Sequence, residues 1–351
     1  MPIDPQGALG YIIEFLYCWL ATALLSLKVA LSGHGFDVIQ ACNPPDTYWL
    51  LALLWRPFGK KFVFDHHDLS PEMYGAKFEK SEGLIYDALL WLERRSFRAA
   101  DIVITTNESH KKIAQDRGGK RGDDVYVVRS GPDLSRFRVY PRNPAYAHGK
   151  AHLIVYLGEM CKQDGVDHLV RAVKDLRDEC GRKDFFCLFV GGGPHQPSIE
   201  QYAQEAGIMD VAAFTGRVSD EELCRILSSA TLGIDPDPKN PWSDKSTMNK
   251  VIEYMYFGLP VVAYDLHETR VSAGSAGVYA EPNSELELAK AIAALLDAPE
   301  RRKHMAEAAK SRVVNKLAWD HSVPVLLAAY GRVFGHEPEL VVTTADEARV
   351  A

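Results

Sequence analysis

The chain has 351 residues, of which 47% are hydrophobic and 25% charged, and 47 acidic against 40 basic side chains give a formal net charge of −7. This length can bury the cores of two α/β domains, and the acidic excess excludes a nucleic-acid binder that works through a basic surface. Six cysteines (Cys18, Cys42, Cys161, Cys180, Cys187 and Cys224) are widely spaced and form no CxxC pair, which excludes a zinc knuckle or a dithiol redox motif. They are read as small buried side chains in a reducing compartment.

Phe15 to Leu27 (FLYCWLATALLSL) is nearly all apolar or small. At about 13 residues it falls short of the roughly 20 that cross a bilayer. Asp4 and Glu14 precede it where a signal peptide would carry basic residues. It reads as a buried or membrane-surface helix, with burial preferred. Asp37 to Ala41 is the first strand and ends in the turn Asn43-Pro44-Pro45-Asp46. A helix over Tyr48 to Trp55 is stopped by Pro57 and Gly59. Lys61 to Asp65 is a continuous apolar strand of the kind buried on both faces of a parallel sheet. His66-His67-Asp68 follows it, then a long helix from about Ser81 to Ala99 and strands at Asp101 to Thr105 and Val125 to Arg129.

After a polar, proline-bearing stretch, a second series begins. Its strands are His152–Leu157, Phe185–Val190, Ala213–Thr215, Leu232–Asp235 and Val261–Ala263. Helices fill the gaps, at about 166–180, 197–206, 219–229, 246–257 and 285–296. Such alternation means an α/β fold with parallel sheets, whose ligands bind outside the carboxyl ends of the strands. The expected division is a Rossmann-like domain over 1–135, a linker over 136–150, a second Rossmann-like domain over 151–315, a closing helix over 316–336 and a polar tail over 337–351.

Asp235 to Pro260 carries the most chemistry. Its helix is expected to start near Ser246, with Ser246 or Thr247 as cap, and to end at Gly258-Leu259-Pro260. A helix start offers free N–H groups and partial positive charge to a diphosphate, and Lys245 and Lys250 add full charges there. Glu253 is placed to accept hydrogen bonds from two ribose hydroxyls. The alternative is an amphipathic helix with an ordinary Lys250–Glu253 pair. Asp235-Pro236-Asp237 spells D-x-D, but between prolines it reads as a turn and not as a metal site.

Glu253-Tyr254-Met255, followed by Gly258-Leu259-Pro260-Val261-Val262, resembles the E-A-M-A-x-G-x-P-V-V segment of glycosyltransferase family 4. Tyr156-Leu157-Gly158, Asp164-Gly165-Val166-Asp167, Val190-Gly191-Gly192-Gly193-Pro194 and Phe214-Thr215-Gly216-Arg217-Val218 resemble further family segments in the expected order, as does Arg129-Ser130-Gly131-Pro132-Asp133 before the linker. The resemblance spans about Asp37 to Gly335 and implies a GT-B fold, two Rossmann-like domains facing a cleft. It implies that Gly158 and Gly191 to Gly193 admit the nucleotide, that Arg217 and Val218 lie beside the base, that Glu253 holds the ribose, and that His67, with Asp68 after it, reaches the transferred sugar. It also implies retention at the anomeric carbon and no metal. No cofactor is expected, the nucleotide sugar being a substrate.

Three features depart from the family pattern. Two cations that contact the diphosphate are replaced by Glu159 and Asp164, so the charge is expected to come from Lys162, Lys245, Lys250 and Arg217. The first of two paired glutamates is replaced by Lys245, with Asp244 beside it as a substitute for sugar hydroxyls. Only about 36 residues precede the strand at Asp37, so the N-terminal domain is expected to lack the usual first βα unit.

The expected activity is transfer from a nucleotide-diphosphate sugar, UDP-sugar favoured, to a saccharide or polyprenyl-linked acceptor in cell-surface polysaccharide or glycoconjugate synthesis. The expected location is the cytoplasm, with contact at the inner face of the membrane. The alternatives are an inactive GT-B protein that binds a nucleotide sugar or a partner enzyme, and a nucleotide-sugar epimerase. No GxGxxG follows a strand, which disfavours an oxidoreductase.

Overall fold

A computed structural model describes residues 7–335. The polar tail expected over 337–351 lies outside them. The described chain divides into two compact units. One comprises the residues up to Ser70, Ala88–Val128 and those from Asp320 onward; the other comprises Pro71–Asp87 and Arg129–Trp319.

The first unit holds a four-stranded parallel sheet in the order β1 (Val38–Cys42), β2 (Lys61–His66), β3 (Ile102–Thr105), β4 (Val125–Val127). Phe62, Val63 and Phe64 of β2 and Ile102, Val103 and Ile104 of β3 are buried, as unbroken apolar runs in inner parallel strands require. Helices α1 (Gly7–Leu31) and α2 (Trp49–Trp55) precede β1 and β2. Between β2 and β3 lie α3 (Ser70–Phe78) and α4 (Leu84–Ala99). The single long helix expected from Ser81 therefore has a separate neighbour upstream. Helix α5 (Glu108–Asp116) is capped by Asn107, whose side chain accepts the His110 N–H.

The reading of Phe15 to Leu27 as a buried helix is corrected. It belongs to the 25-residue α1, and Ile13–Leu31 has a mean hydropathy of 1.5 with none of that stretch buried. Leu16, Leu20, Leu24, Leu27 and Leu31 repeat every three to four residues and are all exposed, Leu24 at 70% and Leu31 at 78%. The polar side of α1 is the one that packs: Ser26 accepts the Trp55 indole N–H at 3.0 Å, and Thr22 meets Tyr48 at 3.5 Å.

The second unit is built on a six-stranded parallel sheet. Its strands are β5 (His152–Leu157), β6 (Phe185–Val190), β7 (Ala212–Gly216), β8 (Leu232–Asp235), β9 (Val261–Tyr264) and β10 (Gly277–Ala280). They run in the order β10-β9-β8-β5-β6-β7, so the strand order reverses between β5 and β8. β10 is a strand beyond the five expected. Helices α6 (Val166–Asp178), α7 (Gln196–Glu205), α8 (Asp220–Ser229), α9 (Asn249–Tyr256), α10 (His267–Ala273), α11 (Glu285–Leu296) and α12 (Pro299–Arg312) belong to this unit, and α13 (Val323–Phe334) returns the chain to the first. All six residues of β6 are buried, and separate apolar clusters fill the two faces of the sheet.

The cysteines are only partly as expected. All are free thiols; Cys187 and Cys224 are buried, whereas Cys42 is exposed.

Candidate functional site

In the second unit a pocket of about 440 Å³ opens beside the carboxyl ends of β5 and β8. Its lining includes Gly158, Asp164, Asp237, Trp242, Lys250 and Glu253. The carboxyl ends of β5 and β8 are where a reversal of strand order leaves room for a ligand.

Tyr254 fixes this geometry. Its buried hydroxyl accepts the Leu157 N–H at 2.6 Å and donates to the Ile234 carbonyl at 3.2 Å, tying α9 to the ends of β5 and β8. Its ring occupies the space a side chain at Gly233 would need, since a Cβ there would lie 2.3 Å away. Val251, Ile252 and Met255 bury the same helix among the core residues, and Gly258 ends it at φ 73°.

Helix α9 begins at Asn249, not near Ser246, and its N-cap Met248 supplies no side-chain hydrogen bond. Ser246 instead donates to the Trp242 carbonyl at 2.8 Å. Thr247, Met248, Asn249 and Lys250 line the pocket, so the first turn of α9 opens into it with its backbone N–H groups free of a side-chain cap. Glu253, one turn further, contributes its carboxyl to the lining, and that carboxyl makes no hydrogen bond or ion pair among the described residues. Burial pushes that carboxyl up to about 7, against the pull of Lys250.

The expectation of unopposed lysines at this end is corrected. Lys250 Nζ lies 3.4 Å from Asp235 and closer still to Asp237, and stands 5.3 Å from the centre of the Tyr156 ring. Burial works against its charge, but Asp237, Tyr156, Asp235 and Asp164 hold the ammonium well above its ordinary range. Asp235-Pro236-Asp237 is thus the counter-ion of Lys250 and not merely a turn, and the Lys250–Glu253 pair does not form. Lys245 is paired with Glu72 at 3.8 Å, and Lys162 with Glu79 at 2.7 Å. Asp244 accepts the His267 N–H at 2.9 Å and is not part of the lining. Arg217 is exposed, with no ion pair among the described residues.

Asp164, the anion at a family cation position, accepts the Cys161 N–H at 2.8 Å and so closes the turn before α6. Gly191, Gly192 and Gly193 lie beside the pocket without lining it. Gly191 is required by contact: at φ 126° a Cβ would stand 1.9 Å from the Gly158 carbonyl oxygen. Among the residues named from sequence, the pocket brings together Gly158, Thr247, Lys250 and Glu253. Lys162, Arg217, Val218, Asp244, Lys245 and Ser246 remain outside its lining. Sequence reasoning missed Trp242, whose indole N–H is buried without an acceptor in a residue of the lining. An aromatic between two turn-forming segments carries no periodicity that would have flagged it.

In the first unit, His66 and His67 have opposite fates because β2 alternates its sides. His66 is fully buried, 3.3 Å from Glu93, which also holds Arg117 at 2.7 Å. His67 is 44% exposed at its side chain, with Nε2 2.9 Å from Asp65. That carboxylate raises His67 above the ordinary imidazole range despite burial. Asp68 is half-buried, and desolvation raises its carboxyl.

Asn43 organises this turn. Its side-chain oxygen accepts the N–H groups of His67 at 2.8 Å and Asp68 at 3.1 Å, and its amide donates to the Asp68 carbonyl at 2.6 Å. Asn43 is 4% exposed and also donates to Asp46, whose carboxyl burial pushes up to about 6. The segment Asn43 to Asp46 is therefore a clamp on His67 and Asp68.

Comparison with known proteins bears on both units. Residues 7–136 match the family described as Glycosyltransferase Family 4, and residues 151–298 match that described as Glycosyl transferases group 1. The chain is 28% identical over 330 residues to the 2-deoxystreptamine glucosyltransferase of Streptomyces kanamyceticus, covering 91% of this chain and 83% of that protein. Among solved structures, sucrose-phosphate synthase from Thermosynechococcus elongatus superposes with a TM-score of 0.72 at 21% identity, covering 88% of this chain and 76% of that one. The Anabaena protein HepE in complex with UDP gives 0.71 at 18% identity, covering 94% and 85%.

Proposed function

Because the chain belongs to glycosyltransferase family 4 and has the GT-B fold, we propose that it transfers a sugar from a UDP-sugar, with retention, to a saccharide or lipid-linked saccharide acceptor. The carrying observation is the pocket of the second unit, where the uncapped start of α9 and the unpartnered carboxyl of Glu253 line one space. A diphosphate takes N–H groups of the first helical turn, which has no cap from Met248, and a carboxylate accepts from a vicinal diol, so one nucleotide satisfies both. The likeness to HepE with UDP bound supports the choice of uridine.

Lys250 contributes through its neighbourhood. Asp235 and Asp237 compensate its charge. An arriving diphosphate competes for the ammonium and shares it with the two carboxylates. Trp242 donates its indole N–H to an oxygen of the donor. In the first unit His67 hydrogen-bonds the transferred sugar, stabilising the positive charge that develops at the anomeric centre, with Asp65 orienting its ring and Asp68 alongside.

The exposed leucine row of α1 supports work at the inner face of the membrane, where a polyprenyl-linked acceptor of cell-surface polysaccharide synthesis resides.

The test is nucleotide release from a panel of UDP- and GDP-sugars, with product linkage read by nuclear magnetic resonance. UDP release with an α-linked product from an α-linked donor is the expected result. GDP release overturns the choice of uridine, an inverted linkage overturns retention, and donor binding without transfer to any acceptor overturns catalysis by this chain.

A further inference from the structure

Two adjacent parallel strands deliver a thiol, a carboxylate and an imidazole to one end of the first sheet. Cys42 ends β1 and is the register partner of Asp65 on β2, and His67 follows β2 directly. One donor atom from each of the three lies within 4.8 Å of the others. Asp65 Oδ2 is 3.5 Å from Cys42 Sγ, and Asp65 Oδ1 is 2.9 Å from His67 Nε2. Asp65 is only 7% exposed and turns its two oxygens to different neighbours, Oδ1 to His67 and Oδ2 to Cys42. A divalent cation among the three donors takes the place of the thiol proton and shares the buried carboxylate with the imidazole.

The spacing suits a small tetrahedral ion. Bonds of about 2.0–2.3 Å place neighbouring ligand atoms roughly 3.3–3.8 Å apart, inside the 4.8 Å that bounds the three donor atoms. Thiolate and imidazole donors select the zinc class over magnesium or calcium. The carboxylate is held from behind: Gln40 donates to Asp65 Oδ2 at 2.6 Å, and the Tyr330 hydroxyl donates to Gln40. Cys42 and His67 are both exposed, which leaves the fourth position open to water.

We propose that Cys42, Asp65 and His67 bind a zinc-class divalent cation, and that its occupancy withdraws His67 from sugar transfer. Binding replaces the S–H bond of Cys42 by a sulfur–metal bond and releases one proton to solvent. The second clause rests on the role given to His67 above; the first does not.

Cobalt(II) is the probe, added to the full chain in a thiol-free phosphine reductant. One equivalent binds with a thiolate-to-cobalt charge-transfer band, which zinc abolishes by displacement. Cys42→Ser removes the band, and Asp65→Asn weakens cobalt binding by roughly tenfold or more. Thermal melts of both variants check that they fold. Absence of the band in the folded parent overturns the site, as does its survival in Cys42→Ser, which would place the metal on another thiol. Equimolar zinc suppresses transfer by the parent and not by Cys42→Ser. Stoichiometric metal binding with zinc-insensitive transfer overturns the regulatory clause alone.

Discussion

Glu253→Gln separates two consequences of burying a carboxyl beside the first turn of α9. Burial raises this group from 4.5 to about 7. A shift of that size corresponds to about 3 kcal/mol between the protonation states. The sign follows from linkage: a carboxyl whose folded-state pKa is raised stabilises the fold in its neutral form. That stability is full below the unfolded value of 4.5 and is lost as pH rises through about 7. Glutamine stays neutral and escapes the loss. In urea unfolding the variant is expected to exceed the parent by roughly 1 kcal/mol near pH 5 and about 3 kcal/mol near pH 8. Donor affinity moves the other way. If the carboxylate accepts the ribose diol, the parent is expected to bind UDP-sugar more tightly as pH rises through about 7 and that carboxylate forms. Glu253→Gln should lose roughly tenfold or more at pH 8, with a flat pH profile by calorimetry. An equal stability difference at both pH values would refute the burial argument. Unchanged donor affinity at pH 8 would refute the ribose role.

Three further outcomes follow from the contacts. Gly191→Ala forces a Cβ to within 1.9 Å of the Gly158 carbonyl oxygen at φ 126°, so stability should fall by about 1–3 kcal/mol and donor affinity with it; a variant equal to the parent in thermal melt and calorimetry contradicts the close approach. Asn43→Ala removes the acceptor for the N–H groups of His67 and Asp68, and transfer kcat should drop by at least about tenfold with little change in the donor KM; a change confined to KM places the residue in binding instead. Leu20→Gln combined with Leu24→Gln should leave the melting temperature unchanged, since both side chains are exposed, while vesicle co-sedimentation falls by roughly tenfold or more. Unaltered sedimentation removes α1 from the membrane contact.

Much of this protein was legible in its sequence because the information was local. The buried runs FVFD and FFCLFV, each followed by a helical period, determine inner parallel strands wherever they sit in a chain, and Gly258-Leu259-Pro260 stops α9 by backbone chemistry alone. The spacing of Glu253 from that stop fixes its place on the helix, and the ordered glycine segments carried the family. Tertiary structure decided what depends on partners distant along the chain. Lys250 and Lys245 read as free charges until Asp235, Asp237 and Glu72 were brought beside them. His66 and His67 are neighbours in sequence, yet one pairs with Glu93 in the core and the other faces outward, a difference set by which side of β2 meets α4. Asn43 gave no sign that it grips a turn more than twenty residues away. Residue type and period determine an element and its buried side; charge compensation, orphaned polar atoms and clustered donors are properties of pairs, and only the folded chain assembles the pairs.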